Sequence, residues 1–133
     1  MFGEIELRSY RVEVLLDNFV VKAKLQPRGE LIAYLNDRNW SFIPLQKAEL
    51  YPLPVERKVG GLRQTLTVVN KDHLSAVSVL DEDEAGQIAL PVSRRAIIFY
   101  LDKFAVQGYL HVSADAPDED LMDEMHDFFP VTA

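Results

Sequence analysis

The sequence predicts an α+β fold that is mainly antiparallel β-sheet, built from two related units that each contain a hairpin, a helix and a strand. Two observations support this expectation. Apolar and polar residues alternate with a period of two around short polar turns, which is typical of β-hairpins. The chain also resembles itself at a spacing of 85–86 residues, because 11–25 aligns with 96–110 and 42–45 aligns with 128–131. A repeat of this kind predicts two copies of one architecture.

The length of the chain limits how these units are arranged. With 133 residues, the chain has the usual size of one domain. We therefore expect a single compact domain over residues 1–133. The internal repeat is expected at 10–53 and 95–133, with intervening strands over 62–92.

The repeated block predicts two hairpins. In the first, apolar residues alternate on both sides of an Asp17-Asn18 turn and form one inner face: Tyr10, Val12, Val14, Leu16, Phe19, Val21, Ala23 and Leu25. Alternating strands joined by a two-residue Asp-Asn turn are a strong hairpin signal. The second hairpin is expected to turn at Asp102-Lys103 and to place Phe104 in a buried position equivalent to that of Phe19.

Short helices and further strands complete the predicted elements. Leu31, Ile32 and Leu35 lie at helical spacing and predict a helix over 30–37, and an acidic helix is expected over 117–127. The other expected elements lie between the copies: an extended segment at 42–53, strands at 66–69 and 74–80, a loop at 81–86 and a short strand at 87–92.

A polar turn between two of these strands contains Asn70, Lys71, Asp72 and His73. A histidine beside a carboxylate is suited to acid–base chemistry. Asn and Asp side chains in turns also bond their own backbone, and this structural interpretation is the commoner one. We favour it and keep Asn70, Asp72 and His73 as a secondary candidate site.

The charge of the chain disfavours some partners. The chain has 14 Lys and Arg against 21 Asp and Glu, for a net charge of −7. Seven of the acidic residues and no basic residue lie in 104–133, so residues 1–103 are neutral. Nucleic acid is disfavoured as a partner, and so is an anionic membrane surface, because binding to either depends mainly on Lys and Arg. The sequence has neither a signal peptide nor an apolar run of about 20 residues, and we expect a cytoplasmic, bacterial protein.

No catalytic, cofactor or metal site is expected. The chain has no cysteine, which excludes disulfide scaffolds, cysteine nucleophiles and thiolate zinc sites. A serine elbow, a P-loop and a dinucleotide-binding fingerprint are all missing. His126 lies among acidic residues on one helical turn, which rarely forms a metal site alone. The run from Asp81 begins like a calcium loop, but its twelfth position is Val92 rather than Glu.

The outer face of the second hairpin is the main candidate site. The aligned outer positions of the first hairpin carry Glu13, Leu15, Val20, Lys22 and Lys24. Those of the second carry Ile98, Tyr100, Ala105, Gln107 and Tyr109, so every charge is lost and two tyrosines are gained. Two interpretations stay open: the chain covers this face itself, or the face is a contact surface with Ile98, Tyr100 and Tyr109 at its centre.

Three motifs resemble a family of small bacterial proteins of unknown function. They are the Gly-x-Leu-x-x-x-Leu-Asn helix at 29–36, the Phe-Ile-Pro-Leu strand at 42–45 and the Val-Asn-Lys-Asp-His turn at 69–73. The resemblance covers residues 10–80 and, more faintly, 95–133, where the second copy lacks the helix motif. It implies a tandem arrangement but transfers no site residues. The hairpin-rich layout is also similar to that of Sm-like small barrels, by analogy of layout alone.

These observations predict a non-catalytic interaction or regulatory module that self-associates, with a dimer as the expected homo-oligomer. The second copy has no counterpart of the strands that follow 42–45 in the first copy, and this predicts an open sheet edge. An unidentified protein partner remains compatible with the same surface. The alternative is a small-barrel protein that binds a small ligand or nucleic acid, and an enzyme ranks third.

Overall fold

The computed structural model describes residues 8–52, 62–101, 105–112 and 127–132. In these ranges the chain forms two antiparallel sheets with a few short helices, which confirms the predicted α+β class. The first sheet and its connections contain β1 (Tyr10–Leu16), β2 (Phe19–Leu25), α1 (Leu31–Asn36), β3 (Phe42–Pro52), β4 (Leu62–Asn70), a 3-10 helix (Lys71–His73) and β5 (Leu74–Val79). After α2 (Glu82–Gly86), the second sheet contains β6 (Ser93–Tyr100), β7 (Ala105–Val112) and β8 (Val131–Thr132).

The first sheet has the strand order β4-β3-β2-β1-β5, so two consecutive strands, β4 and β5, form its opposite edges. Only the 3-10 helix Lys71–His73 separates them. A 3-10 segment rises about 2 Å per residue, so the four steps from Asn70 to Leu74 cover about 8 Å. In a flat sheet four strand spacings would separate these edges by about 19 Å. The sheet therefore curls until its edges approach each other at this end, although β4 and β5 are not hydrogen-bonded neighbours.

The main core lies on the inner face of this curled sheet. It contains the alternating apolar residues of β1 and β2, α1 residues and inward residues of β3 and β4: Tyr10, Val12, Val14, Val21, Ala23, Leu25, Leu31, Tyr34, Leu35, Ile43, Leu45, Ala48 and Val69. Ile88 and Phe128 pack against it from outside the sheet. The period of two in the sequence is thus explained by one buried face.

The second sheet has the order β6-β7-β8, and its buried side chains include Leu110 and Val112. The Phe99 and Phe129 rings lie 4.6 Å apart between centroids. Gly108 allows β8 to pack closely, because a Cβ at this position would meet the Thr132 carbonyl and would lie 2.7 Å from Cγ1 of Val131.

The two hairpins have the same pairing register. In the first, Leu15 faces Val20, and in the second the aligned residues Tyr100 and Ala105 face each other. The third strands also correspond. Lys24 faces Gln46 in the first sheet, and the aligned residues Tyr109 and Thr132 face each other in the second.

The structure corrects three expectations. Phe19 is 44% exposed rather than buried, because it begins β2 opposite Pro52, the last residue of β3, at the margin of the core. The expected loop at 81–86 contains α2, because the Asp81 carboxylate accepts hydrogen bonds from the Asp83 and Glu84 N–H groups and caps a helix. No strand forms at 87–92, a segment that the structure describes in full.

Other expectations are confirmed or lie outside the described residues. The first hairpin, its Asp17-Asn18 turn and the helix within 30–37 are confirmed. The strand expected at 66–69 is longer and begins at Leu62. The second turn at Asp102-Lys103, Phe104 and the acidic segment up to His126 lie outside the described residues.

Candidate functional site

The principal candidate site is the outer face of β6 and β7. We call the exposed side chains of Ile98, Tyr100 and Tyr109 the tyrosine face. Their exposed fractions are 53%, 81% and 39%. In the described part of the chain, all three side chains are open to solvent.

The tyrosine face follows from the pairing of β6 with β7. Alternation places Ile98 and Tyr100 on the same side of β6, and Tyr109 lies on that side of β7, opposite Ala96. The Arg94 guanidinium stacks 4.8 Å from the centroid of the Tyr109 ring and holds the ring at the end of the face. The face therefore presents uncharged apolar and aromatic groups with one cation at its border.

A shallow groove runs along the tyrosine face. It has a volume of about 510 Å³ and is lined by Ala96, Ile97, Ile98, Gln107, Gly108 and Tyr109. Ala96, which shares the outer side of the sheet with Ile98 and Tyr109, has a small side chain, so the floor of the groove lies close to the backbone there. A groove beside a projecting ring is an arrangement that can receive an aromatic side chain.

The corresponding face of the first sheet is charged. A row of four residues with alternating sign crosses β1 to β4: Glu13 faces Lys22, Lys22 faces Glu49, and Glu49 faces Arg63. The Arg63 Nε lies 3.6 Å from a Glu49 carboxylate oxygen. In the second sheet the residues aligned with Glu13 and Lys22 are Ile98 and Gln107, which also face each other.

Tyr51 lies beside this charged row. Its hydroxyl donates a 2.6 Å hydrogen bond to the Glu49 carboxylate. This bond is the main reason that the pKa of Tyr51 lies above its usual value, with burial and the Glu49 charge acting in the same direction and Arg63 opposing them.

The polar turn has a structural role in the described molecule. The Asn70 side chain accepts a 3.0 Å hydrogen bond from the Asp72 N–H and caps the 3-10 helix. His73 Nδ1 lies 3.1 Å from Asp17 Oδ2, which joins this turn to the turn of the first hairpin. Both partners are more than half exposed, and Asp72 is also exposed. The structure thus brings Asn70 and Asp72 together but directs His73 to another element.

Lys71, in the same turn, binds the end of α1. Its Nζ donates to the carbonyl oxygens of Tyr34 at 3.2 Å and Asp37 at 2.9 Å. Burial lowers the pKa of Lys71, while the nearby carboxylates of Asp37 and Asp127 oppose this shift. A lysine at a helix C-terminus satisfies carbonyls that lack intrahelical partners.

Sequence reasoning missed a cleft between the end of α1 and the segment before β8. The cleft has a volume of about 460 Å³, and its lining includes Arg38, Trp40, Lys71 and Asp127. Asn36 and Phe128 form one wall of the cleft and are joined by two hydrogen bonds. The Asn36 side-chain amide donates to the Phe128 carbonyl at 2.8 Å and accepts from the Phe128 N–H at 2.6 Å. The only sequence signal was that Asn36 ends the Gly-x-Leu-x-x-x-Leu-Asn motif.

The cations that line this cleft already have partners. Arg38 Nε lies 3.2 Å from Asp127 Oδ2, and Lys71 is held by the two α1 carbonyls. Outside the lining, Arg28 stacks 4.3 Å from the centroid of the Trp40 ring. The cleft is therefore polar but offers little unpaired positive charge.

In the described ranges there is no cluster of three or more His, Cys, Asp or Glu that could hold a metal ion. Within the same ranges, no helix has the length and apolar character needed to cross a bilayer. Comparison with family models, with curated proteins and with solved structures finds no match to this chain.

Proposed function

We propose that this protein is a non-catalytic interaction module that self-associates through the tyrosine face. The observation that carries the proposal is the exposure of three large uncharged side chains on one side of β6 and β7. Tyrosine is enriched in the buried centres of protein interfaces, because it contributes apolar area together with one polar group. The cytoplasmic and bacterial setting expected from the sequence forms part of the same proposal.

A proposed internal duplication forms the second argument for this function. The equal registers of the two hairpins and of their third strands support the proposal that β6-β7-β8 is a second copy of β1-β2-β3. Two copies of one unit have the same folding requirements. We therefore attribute the replacement of Glu13 and Lys22 by Ile98 and Gln107 in the second copy to a contact that the first copy does not make.

A twofold axis fits the shape of the tyrosine face. In a symmetric dimer each copy contributes the same surface, so the projecting side chain of each copy can fill the groove of the other. We place the Tyr100 ring of each copy in the groove lined by Ala96 and Gly108 of the other. The face is small compared with the interfaces of stable dimers, so the contact should be weak and reversible.

The test replaces the two tyrosines by a charged residue. The Tyr100→Lys/Tyr109→Lys protein should be folded and monomeric by sedimentation equilibrium under conditions in which the wild type associates. A matched control, Leu80→Lys/Val92→Lys, adds the same charge at two exposed apolar residues outside β6 and β7. Equal association of both variants and the wild type would refute the proposal, and so would equal loss in both variants.

A second candidate function is ligand or nucleic-acid binding by a small open barrel. It is supported by the curl of the first sheet at the 3-10 helix and by the cleft that contains Trp40. The chain has a single tryptophan, so its fluorescence reports directly on the cleft. Saturable quenching by an added oligonucleotide or nucleotide, lost in Lys71→Met, would favour this function. We rank it second because the described cations of the cleft are already paired and the net charge is −7.

A further inference from the structure

Within the described residues, the outer edge of β4 lacks the features by which natural proteins protect an exposed strand. Such edges usually carry several charges, a proline or a bulge, or they are very short. β4 is nine residues long, contains no proline, carries Arg63 as its one charged residue and pairs with β3 without a shift of register. It also ends the strand order of the first sheet, so no described strand pairs with its outer side.

The backbone groups that point out from this edge can be identified. The Lys71 N–H donates a 3.0 Å hydrogen bond to the Ser41 carbonyl, so these residues form a hydrogen-bonded pair across β3 and β4. Hydrogen-bonded and non-hydrogen-bonded pairs alternate along antiparallel strands. Val69 and Thr67 therefore direct their N–H and C=O groups toward β3, whereas Val68 and Leu66 direct theirs toward the open edge.

The side chains next to this edge are apolar. Phe42, Leu66 and Val68 are each more than half exposed, and Pro44, which faces Val68, is also exposed. Together they form an apolar strip on the outer face of β3 and β4. The opposite edge differs, because the exposed side chains of β5 are Ser75 and Ser78. The strip therefore matches a second copy of itself better than it matches β5 of another molecule.

We propose that β4 is a strand-addition edge at which two copies of this chain pair antiparallel about a twofold axis at Thr67. In this register Leu66 faces Val68 of the second copy, and Gln64 faces its Asn70, so the residues whose backbone groups point outward pair apolar with apolar and polar with polar, whereas Thr65 faces Val69. The outward N–H and C=O groups of both strands then bond each other. This edge goes beyond the proposed function, because it lies in the first sheet and shares no residue with the tyrosine face.

The absence of cysteine makes a direct test possible. The Thr67→Cys variant would have one thiol per chain, because the natural sequence has no cysteine. In the proposed register the two substituted residues form a non-hydrogen-bonded pair with Cα atoms about 4.5 Å apart, which lies within the range for disulfides. Under mild oxidation, Thr67→Cys should form a covalent dimer at least tenfold faster than Ser78→Cys, the matched control on exposed β5. Equal rates would overturn the proposal.

Two further variants separate edge pairing from other contacts. Val68→Pro removes an N–H that points away from β3, so the β3–β4 ladder stays intact while addition of another strand is blocked. Combined with Thr67→Cys, it should abolish cross-linking, and unchanged cross-linking would overturn the proposal. If Val68→Pro fails to fold, the comparison of Thr67→Cys with Ser78→Cys decides alone.

Cross-linking of Thr67→Cys should persist when Tyr100→Lys and Tyr109→Lys are added, because the edge and the tyrosine face are separate. Its loss in that combination would assign the covalent dimer to the tyrosine face and would overturn edge pairing. The proposed function has its own test in the sedimentation of the tyrosine variant, so either proposal can fail without the other.

Discussion

Single residues join the two sheets to each other and hold the last strand in place. Asn36 uses both atoms of its amide to bond the backbone of Phe128, much as a neighbouring strand would. Gly108 leaves room for the Thr132 carbonyl. Neither role is visible in a local sequence pattern, because each partner is distant along the chain. The burial of Phe19 was predicted wrongly for a related reason. Period-two alternation shows which residues share one face of the sheet, but it does not show how far along each strand the core covers that face.

Gly108→Val should destabilise the protein by about 1–3 kcal/mol, because the added side chain meets the backbone of β8, which cannot rotate away. Urea unfolding monitored by circular dichroism measures this loss. Gly86→Ala is the matched control, because a Cβ at Gly86 meets no atom within 4 Å. Equal free energies of unfolding for the two variants would contradict the close packing of β8.

Asn36→Ala should cost about 1–3 kcal/mol, because it leaves a half-buried N–H and C=O of Phe128 without their partners. The amide of Phe128 should also exchange with solvent faster by NMR. Asn39→Ala is a suitable control, since Asn39 is exposed. Unchanged protection of the Phe128 amide would show that the Asn36 bonds do not form in solution.

At the scale of elements, local patterns predicted the hairpins and α1, but not the strand order. A hairpin needs only alternation and a turn, and both lie within a short stretch of sequence. The placement of β4 and β5 at opposite edges depends on pairing with β3 and β1, which no local pattern encodes. The sequence did not predict α2, which is five residues long and begins after its Asp81 cap. A run of acidic residues after an Asp is equally typical of a loop, so the pattern did not distinguish the two.

The charged row gives a prediction at this scale. Lys22→Glu places three acidic residues side by side across β1, β2 and β3, whereas Lys22→Gln removes only the attraction. The glutamate variant should be less stable than the glutamine variant by about 0.2–1 kcal/mol, as for like charges on facing strands. The difference should shrink in 1 M salt, where the Debye length is about 3 Å. Thermal unfolding at low and high salt measures it, and a salt-independent difference would contradict an electrostatic cause.

At the scale of the whole molecule, two apolar surfaces stand out on an acidic protein. One is the tyrosine face of the second sheet, and the other is the strip beside the β4 edge of the first. The sequence identified the first surface as a candidate, because the two hairpins could be compared position by position, but it left open whether the chain itself covers that surface. It did not indicate the second, because the exposure of Leu66 and Val68 follows from the position of β4 at a sheet edge.

Net charge determines how association should respond to salt. Each copy carries −7, so copies repel one another at long range. Contacts made of apolar groups should therefore tighten as salt screens this repulsion, whereas contacts made of ion pairs would weaken. The direction in which salt changes the affinity of self-association therefore distinguishes a contact through the proposed apolar surfaces from a contact through the charged row.

The most direct measurement is the mass of the wild-type protein by sedimentation equilibrium, as a function of concentration, at low and at high salt. The expected result is a weight-average mass that rises from 15.1 kDa toward twice that value as the protein concentration increases, with the rise at lower concentration when salt is high. A mass that stays at the monomer value up to millimolar protein in both buffers would contradict self-association.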